Sequence, residues 1–213
     1  MIKSLLFITL LTAIFLTASC NDAKTNSKPA NAKGNANANV KTGVAPVADS
    51  EIAVIEMEEP AFGTIKLELY SNIAPLQVER FKTLAKEGYY NGIAFHRINA
   101  TVIQAGNADT KPGKQPNPMK EGDSGKPNVP AEFSDVPYTT GILGAARLGN
   151  DVNSANSQFF IMLKPEPQFD KNYTVFGKVI EGMTNVNTIA GVPKNGEKPI
   201  DAVRIKSITI QPK

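Results

Sequence analysis

From Ile52 to Ile210 the chain consists mostly of short segments in which apolar and polar residues alternate, and this period restricts it to a β-rich fold. The strictest case is Ile65-Lys66-Leu67-Glu68-Leu69, the signature of a strand with one face buried. It follows Ile52-Ala53-Val54-Ile55-Glu56-Met57 through Pro60-Ala61-Phe62-Gly63, so the two are expected to form a hairpin. Further strands are expected over 93–98, 102–105, 142–146, 158–163 and 174–179. Residues 203–210 alternate too, but their phase slips at Lys206-Ser207, which marks a bulge. Pro75 opens a helical pattern with Val78, Phe81, Leu84 and Ala85 on one face, and Gly88 ends it. A weaker helical pattern covers 181–190. The stretch from Gly106 to Gly141 is rich in Gly and Pro and has no period; a connection of that length is functional or covers an edge. The expected fold is mainly β: a closed barrel capped by two helices, since closure removes exposed strand edges.

The 213 residues suit one domain with appendages. The formal charge is +3, but Lys3 supplies +1 of it and residues 21–50 supply +2, through Lys24, Lys28, Lys33 and Lys41 against Asp22 and Asp49. Residues 51–213 are therefore formally neutral and lack the electrostatic footprint of a nucleic-acid binder. With a single Cys and a single His, an internal disulfide and a Cys/His zinc site are excluded, and no metal or cofactor is expected.

The amino terminus reads as an address. Lys3 gives a positive start, Leu5 to Leu16 form an apolar run of 12 residues, and Thr17-Ala18-Ser19 are small. The run is shorter than the ~20 residues of a membrane-spanning helix. Ending at Cys20, the segment resembles a bacterial lipoprotein signal, which implies a signal peptide over 1–19 and a lipidated Cys20. The chain is then expected to be exported and tied to a membrane of the bacterial cell envelope. Residues 20–50, poor in large apolar groups and rich in Asn, Ala and Lys, read as a flexible tether, and 51–213 as the folded domain.

Three groups of residues carry the chemistry: Phe95-His96-Arg97-Ile98 with Gln104-Ala105-Gly106, then Ser157-Gln158-Phe159-Phe160-Ile161, then Tyr173-Thr174-Val175-Phe176-Gly177-Lys178-Val179. With Tyr90-Asn91-Gly92, Pro130-Ala131-Glu132-Phe133, Gly141-Ile142-Leu143, Ala146-Arg147 and Glu181-Gly182-Met183, this ordered set resembles the cyclophilin family of peptidyl-prolyl cis-trans isomerases over nearly all of 52–211. The resemblance implies an eight-stranded antiparallel barrel closed by two helices, and Pro-containing polypeptides as substrates. It also implies catalytic roles for Arg97, Gln104 and Phe160. Phe160, Phe169 and Val102 are expected around the prolyl ring with Tyr173 at the rim, while Ala146 and Arg147 meet the residues before the proline.

Elementary chemistry agrees with that choice of residues. A peptide bond rotates over a barrier of about 18–20 kcal/mol, and X-Pro bonds exchange unaided in roughly tens to hundreds of seconds. What lowers the barrier is a site that binds the twisted bond better than either planar isomer. In the twisted state the prolyl nitrogen gains a lone pair, which a fixed guanidinium can meet. Phe159 and Phe160 must point to opposite faces of their strand, so one of them is core. His96, next to Arg97, points away from it and reads as structural.

The chain departs from the family pattern at Asn99-Ala100-Thr101-Val102, one residue shorter than usual, where Thr101 replaces an aromatic wall and Val102 a Met. Gln168 stands where ciclosporin-sensitive members carry Trp, so weak ciclosporin binding is expected. Two other readings compete with the enzyme. One is a module that binds Pro-containing segments without turnover, motivated by the altered 99–102 wall. The other is an adhesin acting through the loop from Lys111 to Val129. Retention of Arg97, Gln104 and Phe160 favours the enzyme, because binding alone does not require a guanidinium beside the prolyl nitrogen. The neutral domain is expected to be a monomer.

Overall fold

A computed structural model describes residues 40–114 and 124–213, so the signal, Cys20 and most of the expected tether lie outside the described residues. Strand β1 (Glu51–Met57) and strand β2 (Thr64–Leu69) form the expected hairpin, with Ile55 opposite Ile65 and Ala53 opposite Leu67. Alternation becomes burial: Ile65, Leu67 and Leu69 are fully buried, while Thr64, Lys66 and Glu68 between them are not. The short strands β3 (Arg97–Ile98) and β4 (Val102–Ala105) follow, then β5 (Ile142–Ala145), β6 (Phe159–Met162) and β7 (Val175–Glu181). A two-stranded hairpin, β8 (Lys194–Asn195) and β9 (Lys198–Pro199), precedes the last strand, β10 (Ile205–Pro212). The phase slip at Lys206 is a bulge: Glu56 faces Ser207 whereas Met57 faces Ile205, which keeps both Ile205 and Ile208 buried.

Helix α1 (Pro75–Lys86) starts at a proline, whose missing N–H costs nothing in a first turn, and buries Gln77, Val78, Phe81, Leu84 and Ala85. The carboxylate of Glu132 accepts from the N–H groups of Leu76 and Gln77, at 3.2 and 2.9 Å, so the long connection caps this helix. Phe81 holds Tyr90, Phe159 and Phe176 at ring separations of 5.3–5.5 Å, the aromatic centre of the interior. Helix α2 (Met183–Ala190) buries Val186 and Ile189 against β2 and β4.

The eight main strands form one antiparallel sheet in the order β10-β1-β2-β7-β5-β6-β4-β3. This corrects the expected closed barrel: the sheet is curled but open, with β10 and β3 as its ends. Across the seam stands a single bridge, Ala94 to Arg204, beside hydrogen bonds such as Phe95 N–H to the Val203 carbonyl at 2.9 Å. Beside this seam two backbone donors are bonded to other segments. The Ala94 N–H bonds the Thr110 hydroxyl at 2.9 Å, and the Ile98 N–H bonds the Glu197 carbonyl in the β8–β9 turn at 2.7 Å. The edge of β3 is therefore covered by the small hairpin rather than by β10.

Ahead of β1 the chain runs along the domain as a strap. Lys41 bridges Ser134 in parallel, its ammonium donates to the Ile73 carbonyl at 2.8 Å, and Val47 N–H reaches the Asn72 side chain at 3.0 Å. Asp49 accepts from the Ser71 hydroxyl and from Lys82, each at 2.7 Å. Among the described residues no helix is long and apolar enough to cross a membrane.

Candidate functional site

Register builds the site. Arg97 on β3 lies directly opposite Gln104 on β4, Gln104 lies opposite Phe160 on β6, and Phe160 lies opposite Gly144 on β5. Residues opposed in an antiparallel ladder share a face, so guanidinium, amide and phenyl ring stand in one row across three adjacent strands. Phe159 projects the other way, into the interior with Phe81 and Phe95, while Phe160, also buried, belongs to a second apolar cluster on the opposite face. Gly144 is required beneath the ring: a Cβ there would sit 2.3 Å from Phe160 Cζ.

Around Phe160 an apolar cluster is assembled from distant parts of the chain. Val102 lies on β4, Met162 on β6, Ile142 on β5 and Val175 on β7, with Ala146, Phe169 and Tyr173 partly buried at its border. The rings interlock: Phe160 stands 5.6 Å from Phe169 and 5.7 Å from Tyr173, both edge-on, and lies 5.9 Å from Tyr138 in a stacked arrangement. The Arg147 guanidinium lies over the Tyr173 ring at 4.6 Å and donates to the Asn172 carbonyl at 3.0 Å, so it ties the loop after β5 to the rim.

Polar groups form a chain along the row. Arg97 Nη1 donates to Gln104 Oε1 at 3.3 Å, and Gln104 Nε2 donates to Gln158 Oε1 at 2.9 Å. On its other side Arg97 meets Glu197, with Nε to Oε2 at 2.5 Å and Nη2 to Oε1 at 3.5 Å. Hydrogen bonds from Arg97, then from Asn99, hold the Glu197 carboxyl below its ordinary value of 4.5. Burial pushes the Tyr138 phenol well above 10.

The structure thus brings together Arg97, Gln104, Phe160, Val102, Ala146, Arg147, Phe169 and Tyr173. Thr101 sits apart from the apolar cluster, half-buried in a tight turn where Asn99 Oδ1 accepts from the N–H groups of Thr101 and Val102, each at 2.9 Å. His96 lines a separate cavity of about 800 Å³ with Asp109, Lys111 and Lys198. Among the described residues no cluster of His, Cys, Asp and Glu is arranged to hold a metal. Sequence reasoning missed Glu197, Tyr138 and Gly144, and quoted Gln158 within a motif without giving it a role. Asn195-Gly196 is a hairpin signal that would have located Glu197, and Tyr138 lies where the sequence has no period.

Comparison with known proteins agrees with this geometry. The sequence model of the family described as cyclophilin type peptidyl-prolyl cis-trans isomerase/CLD matches residues 53–210. A Brucella suis protein named as a probable peptidyl-prolyl cis-trans isomerase is 41 % identical over 153 residues, covering 66 % of this chain and 76 % of that protein. A peptidyl-prolyl cis-trans isomerase of Dictyostelium discoideum is 38 % identical over 154 residues, 69 % of this chain and 91 % of its own. The crystal structure of a Cryptosporidium parvum cyclophilin type isomerase, determined in the presence of the dipeptide Ala-Pro, superposes with a TM-score of 0.66 at 30 % identity, over 76 % of this chain and 99 % of that one. The chain belongs to the cyclophilin family, and it is a peptidyl-prolyl cis-trans isomerase.

Proposed function

We propose that Arg97, Gln104 and Phe160 carry the isomerisation, on proline-containing segments laid across Val102, Ala146, Phe169 and Tyr173, with Arg147 at the border and Thr101 in the turn before Val102, outside the contact. The observation that carries this reading is the row of three across β3, β4 and β6. Phe160, flanked by Phe169 and Tyr173, offers the prolyl ring an apolar seat, and the Arg97 side chain, 45 % exposed, is open to the bond preceding it. As that bond twists, the prolyl nitrogen becomes pyramidal; one guanidinium N–H meets its lone pair while another holds a substrate carbonyl. Gln104 orients Arg97 through the 3.3 Å bond or turns to the substrate backbone. No covalent step is needed, because only a rotation is catalysed.

The Ala-Pro dipeptide used with the Cryptosporidium relative supports X-Pro as the unit of recognition. The amino-terminal pattern supports export, cleavage before Cys20, lipidation there and a tether through which a monomeric domain reaches unfolded exported proteins at the cell envelope. Expressed in a bacterium, the full chain is expected in the membrane fraction, and Cys20→Ser is expected to release it; an unchanged distribution overturns the anchor.

A second reading, a segment-binding module with little turnover, is favoured by the tight Asn99–Val102 turn, which presents no aromatic wall. NMR exchange on an Ala-Pro-Phe peptide separates the two. Accelerated cis-trans exchange is expected of the enzyme, whereas a bound peptide with unaccelerated exchange marks the module.

A further inference from the structure

We propose that Glu197 is a positioning residue for the isomerisation: it clamps one edge of the Arg97 guanidinium so that the remaining edge is presented to the twisted bond. The inference rests on the reading of Arg97 given above.

A guanidinium carries five N–H donors in one plane. Nε and one N–H of Nη2 go to Glu197, and one N–H of Nη1 goes to Gln104. One donor on Nη1 and one on Nη2 remain, the pair needed to meet a prolyl nitrogen and a carbonyl together. Gln104 accepts at Nη1 and is itself opposite Phe160, which fixes the Nη1 end of the plane on the Phe160 side. Held by Gln104 alone, the guanidinium could rotate about that bond; a second anchor on the opposite edge removes the freedom.

Glu197 is built for this task. Its carbonyl accepts from Ile98 N–H at 2.7 Å, next to Arg97 itself, and Asn99 Nδ2 donates to its Oε1 at 2.9 Å. The β8–β9 turn that carries it has Gly196 at φ 61°, the backbone a two-residue hairpin turn demands at its first position. Side chains 45 % and 49 % exposed gain little stability from pairing, so folding alone does not account for a clamp made of three side-chain bonds and one backbone bond.

The test is a double-mutant cycle in the full chain: Glu197→Ala and Glu197→Gln, each with Arg97 and with Arg97→Ala, followed by NMR exchange on Ala-Pro-Phe and thermal melts. Glu197→Ala is expected to lower kcat about tenfold with KM within about twofold and an unchanged melt. Glu197→Gln, whose amide oxygen still accepts from Arg97, is expected to recover about half of that loss on a logarithmic scale. In the Arg97→Ala background Glu197→Ala is expected to change nothing. Wild-type kcat in Glu197→Ala, or an equal loss in both backgrounds, overturns the positioning role while leaving Arg97 in place. Wild-type activity in Arg97→Ala overturns the reading of Arg97 and this proposal with it.

Discussion

At the scale of single residues, small differences in side-chain size decide how the cluster around Phe160 packs. Gly144 leaves room for the Phe160 ring, and a methyl group 2.3 Å from Cζ would force the ring out of its seat among Phe169, Tyr173 and Tyr138. Gly144→Ala is therefore expected to weaken binding of an Ala-Pro peptide about tenfold in an NMR titration, roughly 1.4 kcal/mol; undiminished affinity would show that Phe160 does not seat the proline. Gln168 is exposed on the 3₁₀ turn Pro167–Phe169, where it offers no indole to a bulky apolar ligand. Ciclosporin is expected to inhibit only weakly, and inhibition at nanomolar concentration in the exchange assay would contradict that. The motifs singled out Arg97, Gln104 and Phe160, and the register places the three side by side. Glu197 was not legible, because its pairing with Arg97 spans 100 positions and depends on where a two-residue turn lands in space.

At the scale of elements, strands with a local period were legible and the seam was not. The alternation in β2 and the slip at Lys206 are local signals, and both have direct counterparts in the burial and register. Whether the sheet closes depends instead on contacts between β3 and β10 across the seam, where the β8–β9 turn carrying Glu197 takes the Ile98 N–H. The strap was equally invisible, since Lys41 to Asp49 hold no apolar period and attach through polar bonds. Deleting residues 1–50 is expected to lower the melting midpoint by roughly 5 °C relative to deleting 1–39, about 2 kcal/mol for the lost strap contacts. Equal midpoints would show that the strap contributes nothing. Within it, burial pushes the Asp49 carboxyl up, but hydrogen bonds from Lys82 and Ser71 outweigh this and hold it below 3.8. A carboxyl depressed on folding contributes stability that is complete above its unfolded value and is lost as the pH falls through its folded one. The midpoint difference between wild type and Asp49→Asn is therefore expected to be full at pH 7 and to shrink as the pH falls below about 3.8; a difference that does not shrink as the solution is acidified would contradict it.

At the scale of the whole molecule, the sheet separates two apolar groups: an interior around Phe81 and Phe159, and a second cluster around Phe160 on the face that carries Arg97. Consecutive phenylalanines in β6 contribute one to each, and the role proposed for the second cluster is to receive substrate. The central claim is that Arg97 acts on the twisted bond rather than on the bound peptide at rest. The most direct test is cis-trans exchange of Ala-Pro-Phe measured by NMR with full-length wild type and Arg97→Ala, the peptide affinity being determined on the same samples. In Arg97→Ala exchange is expected to fall by roughly two orders of magnitude, about 2.7 kcal/mol of transition-state stabilisation, while affinity changes less than about threefold. Exchange in Arg97→Ala equal to wild type, or a loss matched by an equal loss of affinity, would contradict it.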